Sequence, residues 1–376
     1  MVDEMRERLV VGCMTGTSLD GLDVALVRIR GTGLAMRAEI VGTGSRPLPN
    51  TNDSDAILLH YLADGGPCDT EQIAKAAYWF SLFHADLVEE VLARAGLGRP
   101  DLVSVHGQTV FHRPPLSWQL FNPWPLAHRV KAPVVFDLRG ADLAAGGQGA
   151  PITPLADWVM FRTALHPVVA VNLGGYCNIT YLPATSPGHE ASELHAIRAR
   201  DVCACNHVLN AVARSVFGVP YDEDGAAAAR GTSQEEALLD LVERLGVQAA
   251  SGRSLGSGDE ARAWIEAWRG RIAPDDLAAT AAEGVGVTIA RAVFEHEGSL
   301  AVVAGGGAKN RALLAHIESL APIARMGDGV NPLLEYREAA AMAVLGALCQ
   351  DRVPITLPQV TGVRAPAPVA GCWVGV

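Results

Sequence analysis

The stretch LVVGCMTGTSLDGLDVALVRI, Leu9 to Ile29, constrains the fold more than any other part of the chain. Two apolar runs, Leu9–Val11 and Val24–Val27, flank a turn carrying Gly12, Gly16, Thr17, Ser18, Asp20, Gly21 and Asp23. That order spells strand, tight polar loop, strand, a hairpin whose tip a ligand can approach closely. The hydroxyls of Thr17 and Ser18, backbone N–H groups and two carboxylates suit a metal-phosphate or sugar-phosphate partner. An ordinary glycine-rich hairpin satisfies the same pattern, so the stretch specifies topology before it specifies function.

The plan returns in PVVAVNLGGYCNITY, residues 167–181. Strand Val168–Asn172, turn Leu173 to Gly175 and strand Tyr176–Leu182 form a weak internal repeat, each copy followed by helices. A chain of 376 residues exceeds one usual core, which predicts an α/β protein of two domains around a cleft. The expected division is 1–145, 146–350 and a C-terminal segment 351–376 that folds back on the first domain. At 49% hydrophobic and 19% charged the chain is packed rather than disordered. A net charge of −11 repels nucleic acid and anionic lipid, so neither is an expected partner. No apolar run approaches the length of a membrane span, and the opening MVDEMRERLV is no signal peptide. Seven scattered cysteines fit reduced cytosolic thiols.

Further elements follow from pattern. A third strand covers Glu39–Ser45, and a helix runs from Thr70, its cap, to Ala95 before Gly96. Strand Asp101–Val105 ends in His106, Gly107, Gln108 and Thr109, at a strand end where open α/β sheets present ligand groups. Pro114–Pro125 reads as a rigid proline- and tryptophan-rich loop. Strand Pro133–Phe136 leads into Asp137, Leu138 and Arg139, and 144–151 into a flexible crossover. Helices are expected over Ala204–Phe217, Gln234–Leu245, Asp276–Glu297, Arg311–Leu320 and 333–350. Ser251–Asp259 is a Gly/Ser loop, a lid or entry segment.

Several residues carry chemistry. Gly305, Gly306 and Gly307 lie between strand Leu300–Ala304 and a helix. They either let backbone approach a nucleotide or ease a crowded turn, and match neither dinucleotide nor Walker spacing. Cys203, Cys205 and His207, with His195 upstream, lack the second pair that zinc needs, so the thiols read as packing groups. Asp201 is a general base or a helix cap. His106 and His112 are acid–base groups, ligand contacts or turn-closers.

Taken together the motifs resemble the anhydro-N-acetylmuramic acid kinase family. GCMTGTSLDGLD at 12–23 is similar to its first phosphate loop, usually written GxMSGTSxDGxD. HGQTVFHRP (106–114), VVFDLRGADLAAGGQGAPITP (134–154), NLGGYCNITYL (172–182), YDEDGAAAARG (221–231), AGGGAKN (304–310) and LPQVTGVRA (357–365) continue it in order. The resemblance implies the actin-like ATPase fold, two duplicated ribonuclease-H-like domains around a nucleotide cleft. It implies a cytoplasmic, dimeric enzyme of cell-wall recycling that opens the 1,6-anhydro bridge while ATP phosphorylates O6. It places Gly16, Thr17, Ser18, Leu19, Asp20, Gly21, Leu22 and Asp23 around the ATP phosphates. It places Gly305, Gly306, Gly307 and Asn310 near the adenosine, Asp20 and Asp23 on Mg²⁺ through water, and Asp201 as the catalytic carboxylate.

Two segments depart from the family. Its FDTGPGN stands here as RDVCACN, residues 200–206, keeping Asp201 and Asn206 and losing both glycines. Side chains at Val202, Cys203 and Cys205 are expected to obstruct close backbone approach. Around 251–259 only Arg253 and Ser254 approximate the family's PKSTGRE. A kinase for another anhydro-sugar or sugar-like metabolite and a non-catalytic sugar- or nucleotide-binding homologue therefore stand as alternatives.

Overall fold

The computed structural model describes residues 6–16, 21–49, 54–63, 66–251, 255, 259, 261–296, 298–321 and 335–376. The chain divides into two compact units. One comprises Met1–Met160, Ser186–Ile197 and Tyr336–Val376; the other comprises Phe161–Thr185 and Arg198–Glu335.

In the first unit, β1 (Glu7–Thr15), β2 (Gly21–Arg30) and β3 (Arg37–Pro47) form the predicted antiparallel meander. On its other edge β1 pairs in parallel with β4 (Leu102–His106). The stretch Pro114–Pro125, expected to be loop, instead contributes a strand. β5 (Gln108–Arg113) and β6 (Leu116–Leu120) form a separate hairpin, because Leu116–Leu120 gains a cross-strand partner that composition does not reveal. β7 (Val134–Phe136) adds in parallel to β4.

The second unit repeats the plan. β8 (Val168–Leu173), β9 (Tyr176–Leu182) and β10 (Arg198–Ala204) are antiparallel neighbours, and β11 (Leu300–Ala304) lies parallel to β8. The first sheet contains the order β3-β2-β1-β4 and the second the order β10-β9-β8-β11, with the same orientations. This duplicated order of three antiparallel strands followed by a parallel one is the ribonuclease-H-like arrangement expected of an actin-like ATPase.

The sheet of the first unit is covered on both faces, and alternation along β1 explains how. Val11 and Cys13 join the core beneath helix Thr70–Arg94, with Phe80, Leu87, Val88 and Val91. Gly12 faces the other way, against helix Arg337–Gln350, where an added Cβ would sit 1.8 Å from the Ala339 carbonyl oxygen and 2.7 Å from the Ala343 nitrogen. Gly346 meets β4 just as closely, since a Cβ added there would lie 2.7 Å from Ser104 Cβ. Alanine and glycine on the helix, and glycine on the strand, bring backbone against backbone.

That packing corrects the expected domain division. Residues 337–350 belong to the first unit rather than the second, and residues up to Met160 stay with it. The tail joins it too, through β12 (Cys372–Val374), antiparallel to β7. The expected cap is also displaced by one residue. Helix Thr70–Arg94 starts on Asp69, whose carboxylate accepts from the Gln72 N–H while Gln72 answers the Asp69 N–H, a complete capping box.

The core of the second unit gathers helices Asn206–Phe217, Glu235–Ser251, Pro274–Phe294 and Arg311–Leu320 around Val169, Val171, Ile179 and Val303. Pro274–Phe294 is long and apolar enough to cross a membrane by length and composition, and most of it is buried within this core.

Candidate active site

In the first unit the register of β1 and β2 closes at Thr15 opposite Leu22. Gly16 follows β1 and Gly21 opens β2, while Thr17, Ser18, Leu19 and Asp20 lie outside the described residues. A Cβ on Gly21 would stand 3.0 Å from the Arg46 carbonyl oxygen, so glycine here lets β3 approach. Leu22 is fully buried and offers a ligand only its backbone. Asp23 stands opposite Met14 and Ser45. Thr15 is buried, and its Oγ1 has no hydrogen-bond partner among the described residues.

The ends of β4 and β7 bring His106 and Arg139 together. His106 Nε2 lies 2.8 Å from Gln119 Nε2 and 3.0 Å from Arg139 Nη2. Two N–H donors on one ring nitrogen require its lone pair, so the imidazole is neutral. Burial and the Arg139 charge hold it well below the ordinary histidine range. Burial also lowers the Arg139 pKa, while the carboxylates of Glu338 and Asp137 oppose that shift. Around this pair Gln108 Oε1, Gln119 Oε1 and Arg139 Nε are buried without a partner among the described residues. Each such group costs about 1–3 kcal/mol, which a polar ligand would offset. His112 pairs with Ser117 at 3.0 Å and stands on the more exposed part of the same hairpin.

Next to this group the GGQG turn is fixed by Asp142. Its carboxylate accepts from the Gly149 N–H at 2.7 Å and the Thr361 hydroxyl at 2.8 Å, while the Gln148 N–H donates to the Thr361 carbonyl at 2.8 Å. A Cβ on Gly147 would lie 2.2 Å from that carboxylate. The GGQGAP and LPQVTG motifs, far apart in sequence, thus form one piece of structure.

In the second unit the glycine turn of β8–β9 is stitched to the start of helix Asn206–Phe217. Asn206 Nδ2 donates to the Leu173 carbonyl at 3.1 Å, the Asn206 N–H to Gly174, and the Cys205 and His207 N–H groups to Gly175. The glycines after β11 complete this cluster. Gly305 has φ +90°, and a Cβ there would stand 2.7 Å from Asn172 Oδ1. One on Gly307 would stand 2.8 Å from Leu173 Cβ and 3.0 Å from Asn206 Oδ1, whereas Gly306 has nothing within 4 Å. Gly305 and Gly307 serve close packing; Gly306 presents backbone to open space. Asn310 caps the next helix, its Oδ1 accepting from the Leu313 N–H at 2.9 Å.

Asp201 lies on β10, a strand that sequence pattern missed because its first residues are charged. It pairs with Asn178, and the register then shifts before Cys203 pairs with Cys177. The carboxylate accepts from the Leu255 N–H at 2.8 Å. Burial raises its pKa, the Leu255 bond opposes this, and the charge of Asp259 adds to the rise. Asp201 therefore caps no helix.

The bulge resolves the loss of the family's glycines. Val202, Cys203, Ala204 and Cys205 are all fully buried among Leu241, Leu245 and Ile289, so their side chains fill the core. Burial raises the thiol pKa values, that of Cys205 to about 12, as their place in the apolar core requires. Leu255, Asp259 and Gln248 were not singled out from sequence; Leu255 meets Asp201 through its backbone N–H, which leaves no residue-type signal, and Asp259 acts through its charge and Gln248 through its side-chain amide only once the fold brings them near β10. Arg253 and Ser254 lie outside the described residues.

The family model described as anhydro-N-acetylmuramic acid kinase matches residues 8–373. The chain is similar to the protein of that name from Salinibacter ruber, with 33% identity covering 98% of this chain and 96% of the relative. Its similarity to the Bordetella pertussis protein of the same name is 35%, covering 95% and 94%. Among solved structures, component A of Acidaminococcus fermentans (R)-2-hydroxyglutaryl-CoA dehydratase aligns with a TM-score of 0.45 at 14% identity, over 90% of this chain and 98% of that one. A family match running almost from end to end, with curated relatives at this identity, means that the chain belongs to the anhydro-N-acetylmuramic acid kinase family.

Proposed function

We propose that this enzyme opens the 1,6-anhydro bridge of anhydro-N-acetylmuramic acid and phosphorylates O6, giving N-acetylmuramic acid 6-phosphate and ADP. The observation that carries the proposal is the Asp201 carboxylate, half-buried on the β10 bulge and oriented by the Leu255 N–H, in a chain matched to the family over residues 8–373.

Asp201 takes a proton from water as the water oxygen bonds to the anomeric carbon and the bond from that carbon to the bridge oxygen breaks. Burial and the Asp259 charge raise the Asp201 pKa, and a carboxylate so raised accepts that proton more readily. ATP supplies, when bound, the γ-phosphoryl group that the released O6 accepts, and Mg²⁺ supplies neutralisation of the phosphate charge. Gly16, Thr17, Ser18, Leu19, Asp20, Gly21, Leu22 and Asp23 would hold the phosphates, with Asp20 and Asp23 reaching the metal through water. Gly305, Gly306, Gly307 and Asn310 would hold the adenosine. The open space at Gly306 fits backbone contact with a nucleotide.

Within the first unit His106, Gln119 and Arg139 would offer hydrogen bonds to a polar ligand, using the buried polar atoms that lack protein partners among the described residues. A cytoplasmic homodimer is part of the same proposal.

The test is product analysis with Mg-ATP and anhydro-N-acetylmuramic acid. Asp201→Asn should abolish turnover while nucleotide still binds. Near-wild-type turnover in that variant would sink the proposal.

A further inference from the structure

Two side-chain bonds of Gln248 bracket the strand that carries Asp201. The Gln248 amide oxygen accepts from the Ala204 N–H at 2.9 Å, and the amide nitrogen donates to the Asp259 carbonyl at 2.7 Å. Leu255, which precedes Asp259 closely in sequence, donates its N–H to Asp201 Oδ2 at 2.8 Å. The orientation of the amide is fixed by its partners, since Ala204 N–H can only donate and a carbonyl can only accept. Ala204 is fully buried at the end of β10, so its N–H needs an acceptor. A methionine would fill similar volume at position 248 but cannot meet one donor and one acceptor at once.

We propose that Gln248 is a positioning residue for Asp201: by clamping Ala204 to Asp259 it holds the Leu255 N–H against the Asp201 carboxylate. The inference rests on Asp201 being the base, and it deepens that reading by naming what sets its hydrogen bond. A carboxylate that loses an N–H donor binds its proton more tightly. Among the described residues the ionisable groups acting on Asp201 include Asp259 and the buried thiol of Cys177. Beside them Arg200 is engaged by Glu295 and the Ala249 carbonyl, and His296 lies within the field of Arg200. Loss of the clamp acts in the same direction as burial and Asp259, so no neighbour named here cancels it.

Full-length Gln248→Met and Gln248→Glu test the clamp. Glutamate keeps an acceptor for Ala204 but cannot donate to Asp259 when ionised; methionine loses both bonds. Hydrogen exchange at the Leu255 amide, followed by NMR, should accelerate about tenfold or more in both variants. Exchange equal to wild type in both overturns the clamp. The pH dependence of kcat at saturating Mg-ATP and anhydro-sugar gives the second arm. In Gln248→Met the acid limb should move to higher pH by about half a unit or more. A lower rate with an unmoved limb is what a merely structural residue would give, and it overturns the positioning role. If Gln248→Met does not fold, exchange in Gln248→Glu decides. The exchange arm does not depend on the reaction, so a failure of the functional proposal, seen as turnover by Asp201→Asn, is distinguishable from a failure of the clamp.

Discussion

Arg337 and Asp157 form a buried ion pair within the first unit, 180 residues apart in sequence. The Arg337 Nε donates to Asp157 Oδ1 at 2.8 Å, Nη2 donates to Oδ2, and side-chain exposure is 3% and 0%. The pair ties helix Pro154–Phe161 to the first turn of helix Arg337–Gln350, next to Glu338, whose charge acts on Arg139.

Asp157→Ala leaves a buried guanidinium without its carboxylate and should cost about 3–5 kcal/mol. Adding Arg337→Met should recover much of that loss, because two charges are then absent from the interior. Urea unfolding of the single and double variants measures both.

Gly12→Ala and Gly246→Ala should move stability in opposite directions. The new Cβ at 12 would meet the Ala339 carbonyl at 1.8 Å, so backbone must shift, at a cost of about 3 kcal/mol or more. At Gly246, exposed within helix Glu235–Ser251, nothing lies within 4 Å. Alanine there should gain about 0.5–1 kcal/mol. Thermal and urea unfolding report both.

His84 should govern part of the acid stability. It is buried between Phe80 and Phe121, bonded through Nδ1 to the Phe80 carbonyl, and burial lowers its pKa from 6.5 to about 4. The unfolded state therefore takes the proton first. Its contribution is fully present above pH 6.5, is lost as pH falls towards about 4, and is flat below that. At about 1.4 kcal/mol per pH unit the loss is on the order of 3 kcal/mol. His84→Gln should flatten this part of the stability–pH curve.

Asp201→Asn should raise the thermal midpoint at neutral pH while removing turnover. The folded state holds the Asp201 pKa above its unfolded value. Its ionisation therefore costs stability as pH rises through the folded pKa, and asparagine removes that cost. Calorimetry at pH 7 checks the direction. In the wild type, the acid limb of kcat/KM should lie above the ordinary carboxylate range.

Much of the site was legible before folding because glycine turns and strand ends are local. The paired strands at 9–29, their echo at 168–182 and the turn after β11 stand where pattern placed them, but Gly12, Gly21 and Asp23, expected in the first turn, lie in β1 and β2, and Leu173, expected in the second, ends β8. The strand of Asp201 was not legible. Arg198 to Asp201 look like loop until β9 supplies the ladder that makes them a strand. The obstruction expected from Val202, Cys203 and Cys205 also failed to arise. A bulge turns all three side chains into the core, and a bulge is a property of two strands together.

The sequence by itself determined the duplicated hairpin plan, the family and the residue types able to meet phosphate, sugar and water. The plan and the residue types follow from chemistry carried by neighbouring residues, and the family from motifs that resemble its own in order along the chain. Tertiary structure alone decided that the alanine-rich helix 337–350 lies on β1, that His106 is neutral, and that Asp201 takes its hydrogen bond from Leu255. Those outcomes depend on burial and on partners far away in the chain, and neither exists until the backbone has closed on itself.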